Sequence, residues 1–516
     1  MEVIGYRRRF WVTSNQPVAA VRRKEDEVVR ALGIDVGTTT TKVVLVDVEG
    51  ARVREVASHT SPTPGRVPEL LATVEAACRA VGTPEVGAVG VASMAETGAP
   101  VDAHGAALTE LLRWDAGLGA DDAEAMAPLA ADLFARTGVR LSPKTPLSTW
   151  AWLRREQPRI RQRMRYWLGA ADLVVHALTG EHVTDHTLAG RTGGYRLADP
   201  HEPPATSFDP DLLALVGLTP GQLPRVAAPH EIAGRLTPVA ADRTGLTTGI
   251  PVVIAGHDHQ VAAWAAGTRA PGDVADSLGT AEAVLGVLAG RPDPESVRQQ
   301  GMSLVRTVTG SDEALVAGSA SAGAMLRHWL DTVPPDLREG VLAETVHELV
   351  ADPRPTGAAV APYLRGRATP EPDPHARAGR PPSGWTDRRQ ARAVVEGICY
   401  QARWMIETQL ATATPRLVSV IGGVRLPRLW TELKRATLPW PIRLVRAGEP
   451  VAAGAALLAL ARSGEIAPAD APLLVGHTQP PPDSDPHRNA YRAFVWRMRG
   501  ALPAPAGQPE PQAAVD

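Results

Sequence analysis

The sequence predicts an α/β fold built from two related halves with a cleft between them. Apolar stretches rich in β-branched residues alternate with amphipathic helical patterns along most of the chain. A strand, a Gly-Thr turn and a second strand occur near residue 37 and again near residue 279. At 516 residues the chain is long enough for two substantial domains. The two Gly-Thr turns, one opening each half, favour a duplicated fold, and chance similarity of the two turns is the alternative.

Composition and charge exclude several functional classes. The formal net charge is -2 and charged residues make up 21% of the chain, which argues against nucleic acid or a membrane surface as a partner. Cys78 and Cys399 are the only cysteines and lie far apart, so neither a disulfide framework nor a zinc or iron–sulfur site is expected. The sequence contains no apolar run of eighteen residues. We therefore expect a soluble cytoplasmic protein.

The first strand-like runs are predicted at residues 31–36, 42–48 and 51–58, joined by tight turns. This spacing indicates an antiparallel meander and differs from the strand–helix start of a dinucleotide-binding fold. Lysine is scarce in this chain, and one of its four lysines, Lys42, stands in this opening segment.

The turn between the first two strands has the composition of a phosphate-binding loop. Gly37 allows close approach of the backbone to a ligand, while Thr38 and Thr39 supply hydroxyl and amide groups that suit phosphate oxygens. Lys42 adds a positive charge, and Asp35 is suited to hold Mg²⁺, usually through water. An ordinary hairpin in which Asp35 caps its own turn is the alternative.

Two further glycine turns resemble ligand-binding loops. Gly279 and Thr280 lie between two apolar runs, and Gly422 and Gly423 follow the strand-like stretch "RLVSVI". A helical pattern begins at Leu429, so a base or ribose could lie against the main chain at the double glycine. A plain strand-to-helix connection is an equal alternative.

An aspartate follows the apolar strand predicted at 251–256. The carboxyl end of such a strand is where α/β proteins place ligands. Asp258 in "GHDHQVAA" is suited to accept a proton from a substrate hydroxyl. One alternative is that Asp258 only caps the following helix. Another is that His257 and His259 bind a metal, although no third ligand is evident nearby in the sequence.

A second group of polar residues follows the strand-like stretch "AVGVAS". Glu96 lies just after this stretch, and Trp114 and Asp115 follow in "LLRWDAGLG". A carboxylate combined with an indole ring suits a polyhydroxylated ligand. A surface glutamate and a core tryptophan are the commoner roles of these residues.

Six motif-like stretches occur in this order along the chain: "GIDVGTTTTKVVLVD", "GHDHQVAA", "DSLGTAEAV", "SAGAMLRHWL", "APYLRGRATPEPDPHARAG" and "VIGGVRLPRLW…EPVAAGAALLALA". Together they resemble the FGGY family of carbohydrate kinases. The resemblance covers roughly residues 31 to 480. It implies two duplicated actin-like (ribonuclease H-like) ATPase domains with an interdomain cleft, an N-terminal domain at 31–267 and a C-terminal domain at 268–480. Residues 1–30 are then an extension or a mis-assigned start, and 481–516 a C-terminal segment with a disordered Pro/Ala tail.

The resemblance also implies a role for each candidate residue. The catalytic base is Asp258, and the metal lies near Asp35. The substrate contacts are Glu96, Trp114, Asp115 and His257. The nucleotide contacts are Gly37, Thr38, Thr39, Lys42, Gly279, Thr280, Gly323, Gly422 and Gly423.

Two departures from the family pattern limit the choice of substrate. Ala95 stands where glycerol kinases carry an arginine before Glu96, which argues against glycerol. The arginine of the Trp-x-Asp-x-Arg pattern of ketose kinases is missing, since Gly117 and Leu118 stand near its place. The substrate contact of this segment is therefore in doubt.

The expected function is transfer of the ATP γ-phosphoryl group, with Mg²⁺, to a hydroxyl of a ketose (pentulose or hexulose) or related polyol. The expected partner is this small molecule, with a homodimer as one option for assembly. The alternative is a non-metabolic actin-like ATPase switch or chaperone without a sugar substrate. A sugar-binding sensor without turnover is disfavoured because the base and both phosphate turns are present.

Overall fold

The computed structural model describes residues 28–82, 85–411, 414–422 and 427–500. Seventeen strands occur within these ranges: β1 Val29–Val36, β2 Thr40–Glu49, β3 Arg52–Pro62, β4 Ala88–Ser93, β5 Gly98–Val101, β6 Tyr166–Gly169, β7 Val183–Asp185, β8 Arg225–Ala227, β9 Gly234–Arg235, β10 Pro251–His257, β11 Asp273–Leu278, β12 Glu282–Val287, β13 Ser303–Arg306, β14 Glu313–Ser319, β15 Leu417–Ile421, β16 Ile442–Val445 and β17 Val475–Gln479.

The same part of the chain contains seventeen α-helices: α1 Val67–Ala80, α2 Ala120–Ala125, α3 Ala130–Thr137, α4 Pro146–Glu156, α5 Pro158–Arg163, α6 Ala170–Thr179, α7 His186–Ala189, α8 Pro210–Ala214, α9 Pro238–Thr244, α10 Asp258–Ala265, α11 Pro294–Gln299, α12 Gly323–Leu330, α13 Arg338–Ala351, α14 Asp387–Gln409, α15 Arg428–Thr437, α16 Pro450–Arg462 and α17 Arg488–Met498. Within the described ranges, none of these helices combines the length and hydropathy needed to cross a bilayer.

The two large sheets repeat one topology. The first has the order β3-β2-β1-β4-β10-β9, and the second has the order β13-β14-β12-β11-β15-β16-β17. In the first sheet β1, β2 and β3 form an antiparallel meander, and β4 and β10 run parallel to β1. In the second sheet β11, β12 and β14 are antiparallel, and β15 and β16 run parallel to β11. This repeat confirms the predicted α/β class and the predicted duplication.

The sequence of the opening meander explains its burial. β1 and β2 are rich in valine and are almost wholly buried, whereas β3 alternates between exposed and half-buried positions. β-Branched residues favour this pleated geometry, and an alternating pattern suits an edge strand with one wet face. β1 begins at Val29, so the end of the segment 1–30 belongs to the sheet. Residues 1–27 and 501–516, which hold most of the two predicted tails, lie outside the described residues.

One helix from each half lies between the two sheets. α16 follows the second sheet in sequence and packs on β1 and β4 of the first, while α10 follows the first sheet and contacts α16, β11 and β12. A Cβ atom on Gly33 would lie 1.7 Å from the carbonyl oxygen of Ala452, and one on Gly90 would lie 2.0 Å from that of Ala455. The two strand glycines therefore allow α16 to approach the sheet closely.

Separate apolar clusters cover the outer faces of the two sheets, and a third, rich in alanine and valine, fills the space between them. In the third cluster the side chains of α10 and α16 contact both sheets. Small side chains in this layer bring the sheets close together. The carboxyl ends of β1, β4 and β10 are thereby fixed relative to the second sheet.

The C-terminal helix α17 is anchored by a buried histidine. The Nδ1 of His487 lies 2.6 Å from the hydroxyl oxygen of Tyr400, and its Nε2 lies 2.8 Å from the carbonyl oxygen of Pro353. The neutral ring satisfies both contacts, with Nδ1 accepting from the phenol and Nε2–H donating to the carbonyl. Burial lowers the pKa of His487 to about 4.

Candidate active site

Three parallel strands bring the predicted catalytic residues to one edge of the first sheet. Val36 of β1 pairs with Ser93 of β4, and Ser93 pairs with His257 of β10. Residues that follow these positions lie at the carboxyl edge of the sheet, where α/β proteins bind ligands. Glu96 and Asp258 therefore occupy the same edge as the first Gly-Thr turn.

The first turn is held by a compact set of hydrogen bonds. The Gly37 N–H donates to Thr40 O at 3.1 Å, the Thr63 hydroxyl donates to Gly37 O at 2.8 Å, and the Thr63 N–H donates to Thr39 O at 3.0 Å. A Cβ atom at residue 37 would lie 2.9 Å from Thr40 O, which explains the glycine. The hydroxyl-bearing residue Thr39 is exposed at the tip, and Thr38 is half-buried.

Asp35 provides a buried acidic site beside this turn. Its Oδ2 lies 3.6 Å from Lys42 Nζ, which also lies 3.1 Å from Glu449 Oε2, at the start of α16. Among the residues that the structure describes, none makes a hydrogen bond to Asp35 Oδ1. Burial raises the pKa of Asp35 to about 7, and the charges of Asp258 and Glu449 add to this effect while Lys42 opposes it. An unpaired oxygen in a site of excess negative charge fits a hard divalent cation.

Asp258 is the first residue of α10. The N-cap position is His257, so Asp258 does not serve as the N-cap. Its Oδ1 lies 3.1 Å from His257 Nε2 and accepts from the His259 N–H at 2.6 Å. Burial alone would raise the pKa of Asp258, but His259 and His257 hold it below its usual range. Asp258 is therefore an ionised acceptor with one-fifth of its side chain exposed.

The two neighbouring histidines also bear on the metal alternative. One ligand atom from each of His257, Asp258 and His259 lies within 4.8 Å of the other two, so Asp258 is the third ligand that the sequence did not reveal. The contact between His257 Nε2 and Asp258 Oδ1 is an ordinary hydrogen-bonding distance and accounts for the arrangement without a metal.

A buried network positions the end of β10. The Thr187 hydroxyl accepts from the His257 N–H at 2.8 Å and donates to Asp185 Oδ1 at 2.6 Å. Asp185 Oδ2 accepts in turn from Arg462 Nη1 at 3.3 Å. β10 contains an irregularity next to Gly256, where φ is 125° and a Cβ atom would lie 2.4 Å from the Thr187 hydroxyl oxygen. The residue before Asp258 is thus fixed through its backbone.

Glu96 is paired with an arginine that is distant in sequence. Its Oε1 accepts from Arg191 Nε at 3.0 Å and from Nη2 at 2.8 Å. Burial opposes ionisation, but the charges of Arg191, Lys144 and His257 hold the pKa of Glu96 below its usual value. The φ of Glu96 is 60°, a left-handed conformation that is uncommon outside glycine. Such strain in an ordered turn is typical of functional sites.

The segment around Trp114 contacts the first turn. The Trp114 indole N–H donates to the Thr38 hydroxyl at 3.0 Å, and Arg113 Nη1 donates to Thr38 O at 3.0 Å. Arg113 also binds both oxygens of Asp115, at 2.9 and 2.8 Å. Arg113, which precedes Trp114, therefore pairs with Asp115. The arginine expected after Asp115 in the ketose-kinase pattern is missing, since Gly117 and Leu118 stand near its place. The predicted substrate contacts of Trp114 and Asp115 stay predictions.

The glycines of the second half converge on one turn. The Gly279 N–H donates to Ala281 O at 2.9 Å, and Gly279 O accepts from the Gly323 N–H at 3.0 Å. A Cβ atom on Gly323 would lie 2.5 Å from Gly279 O, and one on Gly422 would lie 2.4 Å from Leu278 O. Gly422 has a φ of 87°, and Gly279 is exposed together with the neighbouring Thr280. Gly423 lies outside the described residues.

A buried ionic triad supports this second turn. Lys434 Nζ lies 2.5 Å from Asp276 Oδ2 and 2.6 Å from Glu282 Oε1, and all three side chains are fully buried. Asp276 and Glu282 flank the turn on β11 and β12. Burial raises the pKa of Glu282 to about 8. Burial opposes the charged form of Lys434, but the two carboxylates outweigh this effect and raise the pKa of Lys434. The lysine thus joins α15 to both strands of the hairpin.

Sequence reasoning missed Arg191, Lys144, Arg113 and Thr187. Arg191 and Thr187 lie in a segment without a recognisable motif, and their contacts with Glu96 and His257 span 95 and 70 residues. Lys144 carried a usable signal, since it is one of four lysines in the chain.

Comparison with known proteins gives a consistent result. Residues 30–265 match the model of the N-terminal domain of the FGGY family of carbohydrate kinases, and residues 275–463 match that of its C-terminal domain. A gluconokinase of Bacillus subtilis (strain 168) is 23% identical over 466 residues, 85% of this chain and 89% of the relative. An L-fuculokinase of Salmonella typhi is 27% identical over 464 residues, 84% of this chain and 93% of the relative.

The crystal structure of gluconate kinase from Lactobacillus acidophilus superposes with a TM-score of 0.80 at 18% identity, over 92% of this chain and 98% of that one. At this identity the likeness concerns the fold alone. It confirms the predicted two-domain fold.

Proposed function

Because the chain belongs to the FGGY family of carbohydrate kinases, we propose that it transfers the ATP γ-phosphoryl group to a hydroxyl of a ketose (pentulose or hexulose) or related polyol. The enzyme is a phosphotransferase with an alcohol group as acceptor. Its relatives include a gluconokinase, an L-fuculokinase and a xylulose kinase, so the acceptor class is wider than one sugar. The observation that carries the proposal is the position of Asp258, which lies at the carboxyl edge of β10 near the acidic site of Asp35.

In the proposed reaction, Asp258 is the general base. The substrate oxygen forms a bond to the γ-phosphorus while the bond from that phosphorus to the β–γ bridging oxygen breaks, and ADP leaves. Asp258 takes the hydroxyl proton late in this process, because phosphoryl transfer depends mainly on positioning and charge stabilisation. The contact with His257 and the backbone N–H of His259 fix the carboxylate in place.

The proposed nucleotide site is divided between the two halves. The first turn supplies Gly37, Thr38, Thr39 and Lys42, and the second half supplies Gly279, Thr280, Gly323, Gly422 and Gly423. Asp35 would hold Mg²⁺, whose bound charge supplies stabilisation of the phosphate oxygens. The unpaired Asp35 Oδ1 supports this assignment. The same proposal places the end of the N-terminal domain at residue 267 and the start of the C-terminal domain at residue 268.

A coupled ADP-release screen tests the proposal. The panel contains pentuloses, hexuloses, sugar acids and polyols, each at a fixed MgATP concentration. General-base catalysis is worth about 10² to 10⁴ in rate, so we expect Asp258→Asn to lower kcat by at least about 10²-fold without changing nucleotide affinity. Asp211→Asn, at an exposed aspartate in the first turn of α8, is the matched control and should leave kcat unchanged.

Two results would count against the proposal. If Asp258→Asn phosphorylates its best substrate at the wild-type rate, Asp258 is not the base. If the wild-type enzyme consumes ATP at a rate that no compound raises, the actin-like ATPase switch is the better description.

A further inference from the structure

A group of cations surrounds Glu96 at the edge that holds Asp258. Arg191 binds Glu96 directly, and Lys144 lies close enough for the two charges to interact. The charged groups that act on Lys144 are Glu96, Arg191 and Arg140. Glu96 therefore interacts with two side chains that carry a positive charge at neutral pH, Arg191 and Lys144, and Arg140 adds a third positive charge beside Lys144. This cluster has an excess of positive charge in a protein whose overall net charge is -2.

Two donors of this cluster lack a protein acceptor. Arg191 is 7% exposed, and its buried Nη1 has no hydrogen-bond partner among the described residues. The described residues also provide no hydrogen bond or ion pair within 4.0 Å for the Lys144 ammonium group. Buried charged donors in proteins are normally paired, because desolvation of an unpaired group is costly. The buried Nη1 of Arg191 therefore indicates that an acceptor is supplied from outside the chain, and the exposed residue Lys144 is a second cation available to the same acceptor.

The cluster lies beside the proposed base. Lys144 stands in the loop between α3 and α4, and Arg191 follows α7. Glu96 and Arg191 both influence the charge of His259, the residue after Asp258. A small molecule bound by Lys144 and Arg191 would therefore extend toward Asp258.

From these contacts we infer that the alcohol substrate carries a carboxylate, and that Lys144 and Arg191 Nη1 bind its oxygens. The substrate class is a polyhydroxylated carboxylic acid, that is, a sugar acid. This inference rests on the proposed function and narrows it from polyols in general to acidic ones. Charged donors bind a carboxylate more strongly than a hydroxyl, and a neutral polyol would leave the excess charge uncompensated.

The electrostatics of Lys144 agree with this assignment. Lys144 is an exposed residue. Glu96 raises the pKa of Lys144, but partial desolvation by neighbouring protein atoms and the charges of Arg191 and Arg140 together lower it below the ordinary lysine value. A bound carboxylate would oppose this lowering, because a nearby negative charge favours the charged ammonium group.

Matched substrate pairs test the inference. D-Gluconate and D-glucitol differ only in the carboxylate, as do 2-keto-D-gluconate and D-fructose. We expect the acid of the preferred pair to have a kcat/KM at least about tenfold higher than its neutral partner. Lys144→Met should raise the KM for the acid about tenfold or more while changing kcat and the KM for ATP little. Lys144→Arg should recover part of the affinity, and Arg66→Met, at an exposed arginine paired with Glu69, is the charge control.

Equilibrium binding supplies a second readout. Calorimetric titration of D-gluconate and 2-keto-D-gluconate into Asp258→Asn should show binding that weakens with ionic strength, and Lys144→Met in the same background should abolish that dependence. A preference for the neutral partner in both pairs overturns the inference and leaves the proposed function intact. So does an unchanged KM for the acid in Lys144→Met. If no compound, acidic or neutral, raises ADP release, the proposed function and this inference both fail.

Discussion

The hydroxyl of Thr187 offers a test of how the proposed base is positioned. This buried group accepts from the backbone N–H of His257 and donates to Asp185, so it joins the end of β10 to α7. Thr187→Val removes the hydroxyl and keeps nearly the same shape. Asp185 Oδ1 keeps its bond from the backbone N–H of residue 187 at 2.7 Å, and Arg462 still binds Oδ2. The substitution therefore affects mainly the N–H of the residue before Asp258.

The expected size follows from these contacts. An unpaired buried N–H costs about 1–3 kcal/mol, so the free energy of unfolding should fall by about that amount. If the strand end relaxes to find another acceptor, the carboxylate of Asp258 moves with it. A displacement of about 1 Å in a catalytic group costs about 10²-fold in rate. We expect kcat to fall by about 10- to 100-fold, with the KM for ATP nearly unchanged because the nucleotide turns are not touched.

The assay combines ADP release under saturating substrate with urea denaturation. Thr244→Val is the matched control, because the Thr244 hydroxyl is buried at the end of α9, donates to Ala240 O at 2.7 Å and accepts from the Leu246 N–H at 3.4 Å. The control should lose a similar free energy of unfolding and keep its kcat. An equal loss of stability in both variants with wild-type kcat in Thr187→Val would refute the positioning argument.

Two further predictions concern stability. Gly90→Ala should lower the free energy of unfolding by about 3 kcal/mol or more in a denaturation series, since its Cβ would lie 2.0 Å from Ala455 O, whereas Gly221→Ala, which meets no atom within 4 Å, should stay within about 0.5 kcal/mol of the wild type. Burial holds the pKa of His487 at about 4, against 6.5 for the free side chain. Between these two pH values the unfolded chain therefore binds more protons than the folded chain. The free energy of unfolding present above pH 6.5 should thus fall by about 3 kcal/mol as the pH drops to 4. His487→Gln should remove that component, and an identical pH slope in the variant would contradict it.

Local features of the fold were predictable from the sequence. The opening meander, the strand before Asp258 and the hairpin around Gly279 were all predicted within a few residues, because each pairs β-branched runs with a short glycine turn. The duplication was also visible as two strand–turn–strand units. The edge strand β17, Val475–Gln479, has no counterpart among the strands predicted from the sequence. Its pairing with β16 depends on tertiary contacts that a local pattern does not contain.

The partner of Glu96 shows why the site was only partly predictable. The residue before Glu96 is Ala95, so the neighbouring sequence lacks the arginine expected beside the carboxylate. The fold restores a guanidinium from Arg191 instead, 95 positions later in the chain. An ion pair needs only two groups in contact, so its members can come from any two elements that meet at the sheet edge. Residue spacing therefore predicts the presence of a carboxylate at this edge but not the charge balance around it.

Lysine usage gives a signal that residue spacing does not. The chain contains 54 lysines and arginines together, of which only four are lysines. The three that the structure describes all lie near carboxylates: Lys42 between Asp35 and Glu449, Lys434 in the buried triad, and Lys144 near Glu96. Arginine is planar and carries five donors, whereas the ammonium group is a compact charge on a flexible stem. In a composition that uses arginine almost everywhere, each described lysine lies near a carboxylate, and Lys144 shares this feature with Lys42.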